Sequence, residues 1–211
     1  MAHPSNPSQI WTHAWKSYLP ARAIVMARKA PSLPPPSNNP LLIHNINVLG
    51  EGNPHAELVF VGESLGDEED LLGRPFVGEA GQLLDRMIAA MGLKREQVYI
   101  ASIVKCRPEY PNPEAVETQK YGPFMASHLA KMRPKVIVAL GKFAAQTLLQ
   151  SDDQISTLRG KFYPYGETLS NIQVMPTFDP SYLLQNPASK RETWADLQQV
   201  AKVLGIVIPK R

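Results

Sequence analysis

Cysteine is almost absent from this chain: Cys106 is the single one in 211 residues. One thiol excludes an intramolecular disulfide, and it cannot build a thiolate metal cage within one chain. Long apolar runs are missing as well, and no stretch approaches the roughly 18 residues of a membrane span. The first residues, MAHPSNPSQIWTHAW, lack the basic segment and apolar core of a secretory signal. Charge of one sign is scarce, with Lys+Arg 22 against Asp+Glu 19 and a formal net charge of +3. That mild basic bias permits a nucleic-acid partner without requiring one. A cytoplasmic protein with no membrane association is expected, and a monomer.

What is present is an apolar share of 44% against 19% charged residues, enough for a real core. Residues 1–40 stand apart. Their APSLPPPSNNP segment is too rich in proline for helix, and the SQIWTHAWKSYL ahead of it reads as a short helix stopped near Pro20. Residues 1–40 are expected to form an arm or linker, and 41–211 one domain.

The domain alternates. AELVFVGE, VYIASIV, KVIVALG and IQVMPT are short, β-branched, apolar runs, which predicts four strands buried on both faces. EAGQLLDRMIAAMG places Leu83, Leu84, Met87, Ile88 and Met91 on one helical face, with Gly92 as its cap. A helical stretch from Pro113 should pause at YGP and restart at Pro123. KFAAQTLLQ predicts another helix, and Thr193 is expected to cap a last one ended by Gly205. Strands alternating with helices predict an α/β fold of three αβα layers around a mostly parallel four-stranded sheet.

A sheet of this kind binds ligands beyond the carboxyl ends of its strands. The segments there are GESLG, SIVKCRP, GKF and TFDPSYLL, so the site is expected among these four loops. Dinucleotide binding fits poorly: the GxGxxG spacing is absent, and the four acids Asp67 to Asp70 would repel a pyrophosphate. One further turn asks for an explanation. GRPFVGEAGQLLDRM sets Phe76 in a Gly-rich turn before a helix, where the ring either plugs the core or offers a face to something flat.

GEGNPHAELVFVGESLGDEEDLLGRPFVGEAGQLLDRMI, YIASIVKCRP, RPKVIVALGKFAAQTLL, LRGKF, PTFDPSYLLQNP and KRETWADL, taken in this order, resemble the family 4 uracil-DNA glycosylases from about Gly50 to Leu204. The resemblance implies a parallel sheet with helices on both faces. It also implies a DNA-repair hydrolase that flips a base from DNA and stacks it on Phe76, a contact worth roughly 1–3 kcal/mol. The turn Gly62, Glu63, Ser64 would then serve the base and the hydrolytic water. Gly141 and Lys142, at a strand-to-helix turn with free N–H groups, would take a phosphate. The DPSYLLQNPASKR loop would wedge into the duplex through Leu183, Leu184 or Gln185, with Ser181, Lys190 and Arg191 beside the DNA. For Lys190 and Arg191 the plainer alternative is solvated surface.

Four departures separate this chain from the pattern. Of the four cysteines that hold the family's iron–sulfur cluster, only Cys106 is here; Gly122 or a neighbour stands where a second is expected, and no cluster is expected on one thiolate. The family's base-reading asparagine is Ser102, which offers one donor and less reach, at an expected cost in discrimination of about 1–3 kcal/mol. The histidine of its HPSYLL-type motif is Asp179, whose negative charge would oppose that on a departing base, where losing one donor costs roughly 3–4 kcal/mol. CRPPGNR becomes CRPEYPN, which leaves Asn112 out of register.

Two readings follow. In the first, the protein is a DNA glycosylase of altered base specificity, with Phe76, Ser102 and the Gly62–Ser64 turn holding the base and Asp179 and Ser64 at the glycosidic bond. It would need no metal or other cofactor, and its partner would be DNA containing a modified base. In the second, the fold is kept for binding DNA or a nucleotide with catalysis impaired.

Overall fold

The computed structural model describes residues 50–105, 115–166 and 169–209. The arm, Pro113 and Cys106 lie outside them. Six strands form one sheet: β1 (Glu51–Gly52), β2 (Leu58–Gly62), β3 (Tyr99–Ser102), β4 (Val136–Leu140), β5 (Tyr163–Tyr165) and β6 (Leu169–Thr177), in the order β1-β3-β2-β4-β6-β5. The four central strands, β3, β2, β4 and β6, are all parallel to their neighbours. They are the four that hydrophobic pattern predicts. β1 and β5 are antiparallel additions at the two edges, and with two and three residues they are too short to leave a pattern.

Every residue of β2, β3 and β4 is buried, because helices cover both faces. Alternate side chains serve opposite layers. Val59, Val61, Ile137, Ala139 and Val174 face one cluster, which Met125 and Leu129 of helix α3 (Ala115–Met132) and Ala144, Ala145 and Leu148 of α4 (Lys142–Leu149) complete. Leu58, Phe60, Val136, Val138 and Met175 face the other, filled by Leu84 and Ile88 of α2 (Glu79–Ala90) and by Leu197, Val200 and Ala201 of α7 (Lys190–Leu204). Each buried Val, Leu, Ile, Phe or Met among them contributes roughly 1.5–3 kcal/mol. The remaining helices, α1 (Asp67–Leu72), α5 (Ile155–Leu158) and α6 (Pro180–Gln185), are short.

Three helix boundaries differ from the sequence-based expectation. α3 runs through Pro123 without a pause: Tyr121, Met125 and Leu129 are buried in a row at four-residue spacing, and that packing offsets the roughly 3 kcal/mol an interior proline costs. α7 begins three residues before Thr193, because the 3-10 turn Pro187–Ser189 leads directly into it. Thr193 is therefore an interior residue, 2% exposed, and not a cap. At the end of α2, Gly92 lies one residue past the cap Met91, with φ +84.

Candidate active site

Parallel pairing brings Gly62 and Ser102 side by side as register partners at the carboxyl ends of β2 and β3. The ladder continues beyond them, with Ile103 N–H donating to Gly62 O and Val104 N–H to Glu63 O, both at 2.9 Å. Ser102 is 1% exposed, and its hydroxyl has no hydrogen-bond partner among the described residues. A buried hydroxyl in that state costs about 1–3 kcal/mol, so an unsatisfied polar group stands where the resemblance places the base reader.

Phe76 reaches the same spot from the turn before α2. A β-carbon on Gly62 would overlap Cζ of its ring, so the ring lies directly on the glycine. Phe76 is 8% exposed and belongs to the apolar cluster of Leu58, Phe60 and Leu84. The ring therefore seals that cluster, and it does so at the strand end, beside Gly62.

The second half of the site is built on β4 and β6. Gly141 follows β4 with φ +91 and starts α4. Its own N–H is not free as the sequence suggests: it donates to Thr177 O at 2.9 Å, extending the β4–β6 ladder by one bond. The amides that can face an anion are those of the next residues in the first turn of α4. Asp179 packs against Gly141, whose added β-carbon would lie 3.0 Å from Asp179 Cβ. Its Oδ1 accepts from Ser181 N–H at 2.7 Å and from Ser181 Oγ at 2.6 Å. Asp179 is thus the N-cap of α6, a role the sequence reading missed; the DPS order, an acid ahead of proline at the first helical position, was its signal.

Electrostatics join the two halves. Burial, and then the charge of Asp179, push the Glu63 carboxyl up to about 7. Burial also raises the Asp179 carboxyl above its ordinary value, against the hydrogen bonds from Ser181. Burial and the neighbouring Asp179 charge both favour the protonated form of Glu63. A third unusual group lies three residues after Ser102: Lys105 is 1% exposed, burial pulls its amine down to about 7, and its Nζ sits 5.9 Å from the Phe124 ring centre.

Exposed cations stand at two helix starts. Lys142, at the start of α4, and Lys190 and Arg191, at the start of α7, are exposed. On α6, Leu183 is 1% exposed and packs on Leu83 and Phe178, so it has no free side chain to insert between bases. Leu184 is half-buried against the same cluster, and Ser181 and Gln185 are exposed. The exposed apolar group is one the sequence reading missed: Tyr182, 43% exposed. It stacks on Phe178 at 5.0 Å, and Phe178 in turn carries the Arg159 guanidinium at 5.4 Å. Arg159 is fixed by Asp196 through contacts of 2.6 and 3.1 Å, and Asp196 also accepts from Thr177 Oγ1 at 2.7 Å.

Among the described residues no group of three or more His, Cys, Asp or Glu side chains could hold a metal ion. With a single cysteine in the sequence, the donor set does not fit a four-thiolate iron–sulfur cluster. No helix among the described residues is long and apolar enough to cross a membrane.

Comparison with known proteins shows the family. Residues 49–198 match the model of the uracil DNA glycosylase superfamily. The chain is 42% identical over 165 residues to a type-4 uracil-DNA glycosylase of Archaeoglobus fulgidus, an alignment covering 75% of this chain and 82% of the relative. A type-4 enzyme of Saccharolobus solfataricus is 39% identical over 165 residues, covering 74% and 76%. One of Thermotoga maritima is 42% identical over 156 residues, covering 72% and 79%.

Proposed function

Because the chain belongs to the uracil-DNA glycosylase superfamily, we propose that it is a DNA N-glycosylase that removes a deaminated or damaged base during DNA repair. The observation that carries this reading is the meeting of Phe76, the unsatisfied Ser102 hydroxyl and the Glu63–Asp179 couple at the carboxyl ends of the parallel strands. These are the parts that hold a flat heterocycle and act on the bond beside it.

The extruded base lies against Phe76, with its edge toward Ser102 and the backbone of Gly62, Glu63 and Ser64. As the C1′–N bond breaks, its electron pair leaves on the base, and protonated Glu63 donates to the base as that charge builds. Asp179, held by its cap bonds to Ser181, faces the sugar ionised. There it stabilises positive charge at C1′ and accepts a proton from the water that adds to C1′. Ser64 helps to hold that water. The Asp179 carboxyl in place of the family's histidine, and the Ser102 hydroxyl in place of its amide, favour a base other than uracil. Lys142, Lys190, Arg191 and the Gly141 turn bind phosphates, while Leu184 and Tyr182 meet the duplex where the base has left.

No step requires an iron–sulfur cluster, and none is assigned to Cys106. Residues 41–211 are taken as the catalytic domain, acting as a monomer, and 1–40 as its arm.

The test is incubation of stoichiometric protein with duplexes that carry uracil, hypoxanthine or xanthine, followed by detection of abasic sites. Product from at least one of them is expected, and none from any would refute the reading.

A further inference from the structure

We infer that Arg95 and Glu69 are positioning residues that clamp the Phe76 turn and so fix the ring on which the base lies. The inference rests on the glycosylase reading. Phe76 has φ +53 and is one of three non-glycine residues with positive φ among those described. A bulky aromatic residue occupies that region only when its surroundings impose it.

The surroundings here are two side chains. Arg95 donates from Nη2 to Pro75 O at 2.6 Å and from Nη1 to Phe76 O at 3.1 Å, which ties down both carbonyls entering the turn. Glu69 Oε1 accepts from Val77 N–H at 2.9 Å and Gly78 N–H at 3.0 Å, which ties down both amides leaving it. Its other oxygen accepts from Gly66 N–H at 3.0 Å. One planar cation and one carboxylate thus satisfy one backbone group on each of four consecutive residues, Pro75 to Gly78.

The clamp is itself anchored. Arg95 pairs with Asp85 of α2 at 2.6 Å and with Glu51 of β1 at 3.2 Å, and Glu51 holds Arg74 at 2.7 and 2.9 Å. Two glycines make room for it. A β-carbon on Gly81 would overlap the carbonyl of Phe76, as one on Gly62 would overlap the ring. Arg95 also sits on the 3-10 turn Arg95–Gln97 that leads into β3, whose last residue is Ser102. The stacking ring and the base reader therefore take their relative positions from one short segment. Neither Arg95 nor Glu69 is placed at the base itself, so both act through Phe76.

The test is a double-mutant cycle on single-turnover excision, using whichever duplex the wild type processes. Arg95→Ala is expected to slow excision by about tenfold or more, within the roughly 5- to 150-fold that base stacking is worth. In a Phe76→Ala background the same change is expected to cost less than about twofold. Losses that multiply independently would overturn the clamp. Arg95→Lys keeps a charge for Asp85 and Glu51 but cannot fork onto two carbonyls. It should fold normally and still lose several-fold in rate, and a wild-type rate would overturn the assignment. Amide exchange in the full chain supplies a readout independent of activity. Val77 and Gly78 should exchange slowly in the wild type and at least tenfold faster in Glu69→Ala and Arg95→Ala, with the β2 and β4 amides unchanged; equal protection in wild type and variants would overturn it. If the wild type excises nothing, the glycosylase reading fails, and exchange alone decides whether the clamp exists.

Discussion

The ring of Phe76 rests on Gly62, the last residue of β2, so closely that the glycine has no room for a β-carbon. Here a side chain from a turn meets the backbone of a central strand, beside the unsatisfied hydroxyl of Ser102. Gly62→Ala should therefore push the ring away from its seat while leaving the site's polar groups in place. Excision should fall at least tenfold, and the melting temperature should drop by several degrees, as overpacking usually costs about 1–3 kcal/mol. Single-turnover rates together with thermal unfolding check both effects.

Asp179 carries two roles that substitution can separate. As a cap, its Oδ1 receives the Ser181 amide and hydroxyl; as a charge, it has the proposed role of facing the sugar. Asn caps helices about as well as Asp, whereas Ala forfeits about 1 kcal/mol. Asp179→Asn should keep the wild-type melting temperature and lose most of the excision rate, by a hundredfold or so. Asp179→Ala should lose both. Equal activity in the Asn variant would show that the carboxylate serves only the helix.

The proposed role of Glu63 as proton donor predicts a pH-dependent activity. Its carboxyl is raised from 4.5 to about 7, and the protonated form is the proposed donor, so excision should decline as pH rises through about 7. Glu63→Gln, a permanent donor, should flatten that limb. Stability has the same sign. A raised folded pKa means that the contribution is complete below about 4.5 and is lost as pH climbs through about 7. Glu63→Gln should then melt a few degrees above the wild type at about pH 8 and level with it at about pH 4. Melting curves at the two pH values decide this.

The exposed cations at the two helix starts, Lys142, Lys190 and Arg191, should each hold a phosphate. Changing any one to Ala should reduce the slope of log affinity against log salt by about 0.9 for duplex DNA. Titrations of an unmodified duplex across a range of salt measure it. An unchanged slope in all three variants would leave them as solvated surface.

The parallel core was legible because β2, β3 and β4 are buried on both faces and so read as unbroken apolar runs. The strand-end position of Gly62, Ser102, Gly141 and Asp179 followed from that topology alone. Features that depend on contacts distant in sequence were not legible. The clamp joins residue 95 to 75 and 76, and no local pattern marks it. The proton-holding character of Glu63 requires burial and the approach of Asp179, 116 residues later by number. Leu183 looks able to insert into DNA until packing on Leu83 and Phe178 commits it to the interior. Pro123 misled for the same reason, since the buried row on α3 outweighs a local breaker.

The central claim is that a base leaves DNA while lying on Phe76, and single-turnover excision by the wild type and by Phe76→Ala, run side by side on uracil, hypoxanthine and xanthine duplexes, tests it most directly. The account predicts abasic product from at least one duplex with the wild type, and a rate roughly 5- to 150-fold lower without the ring. Product formed equally fast by both proteins, or by neither, would contradict it.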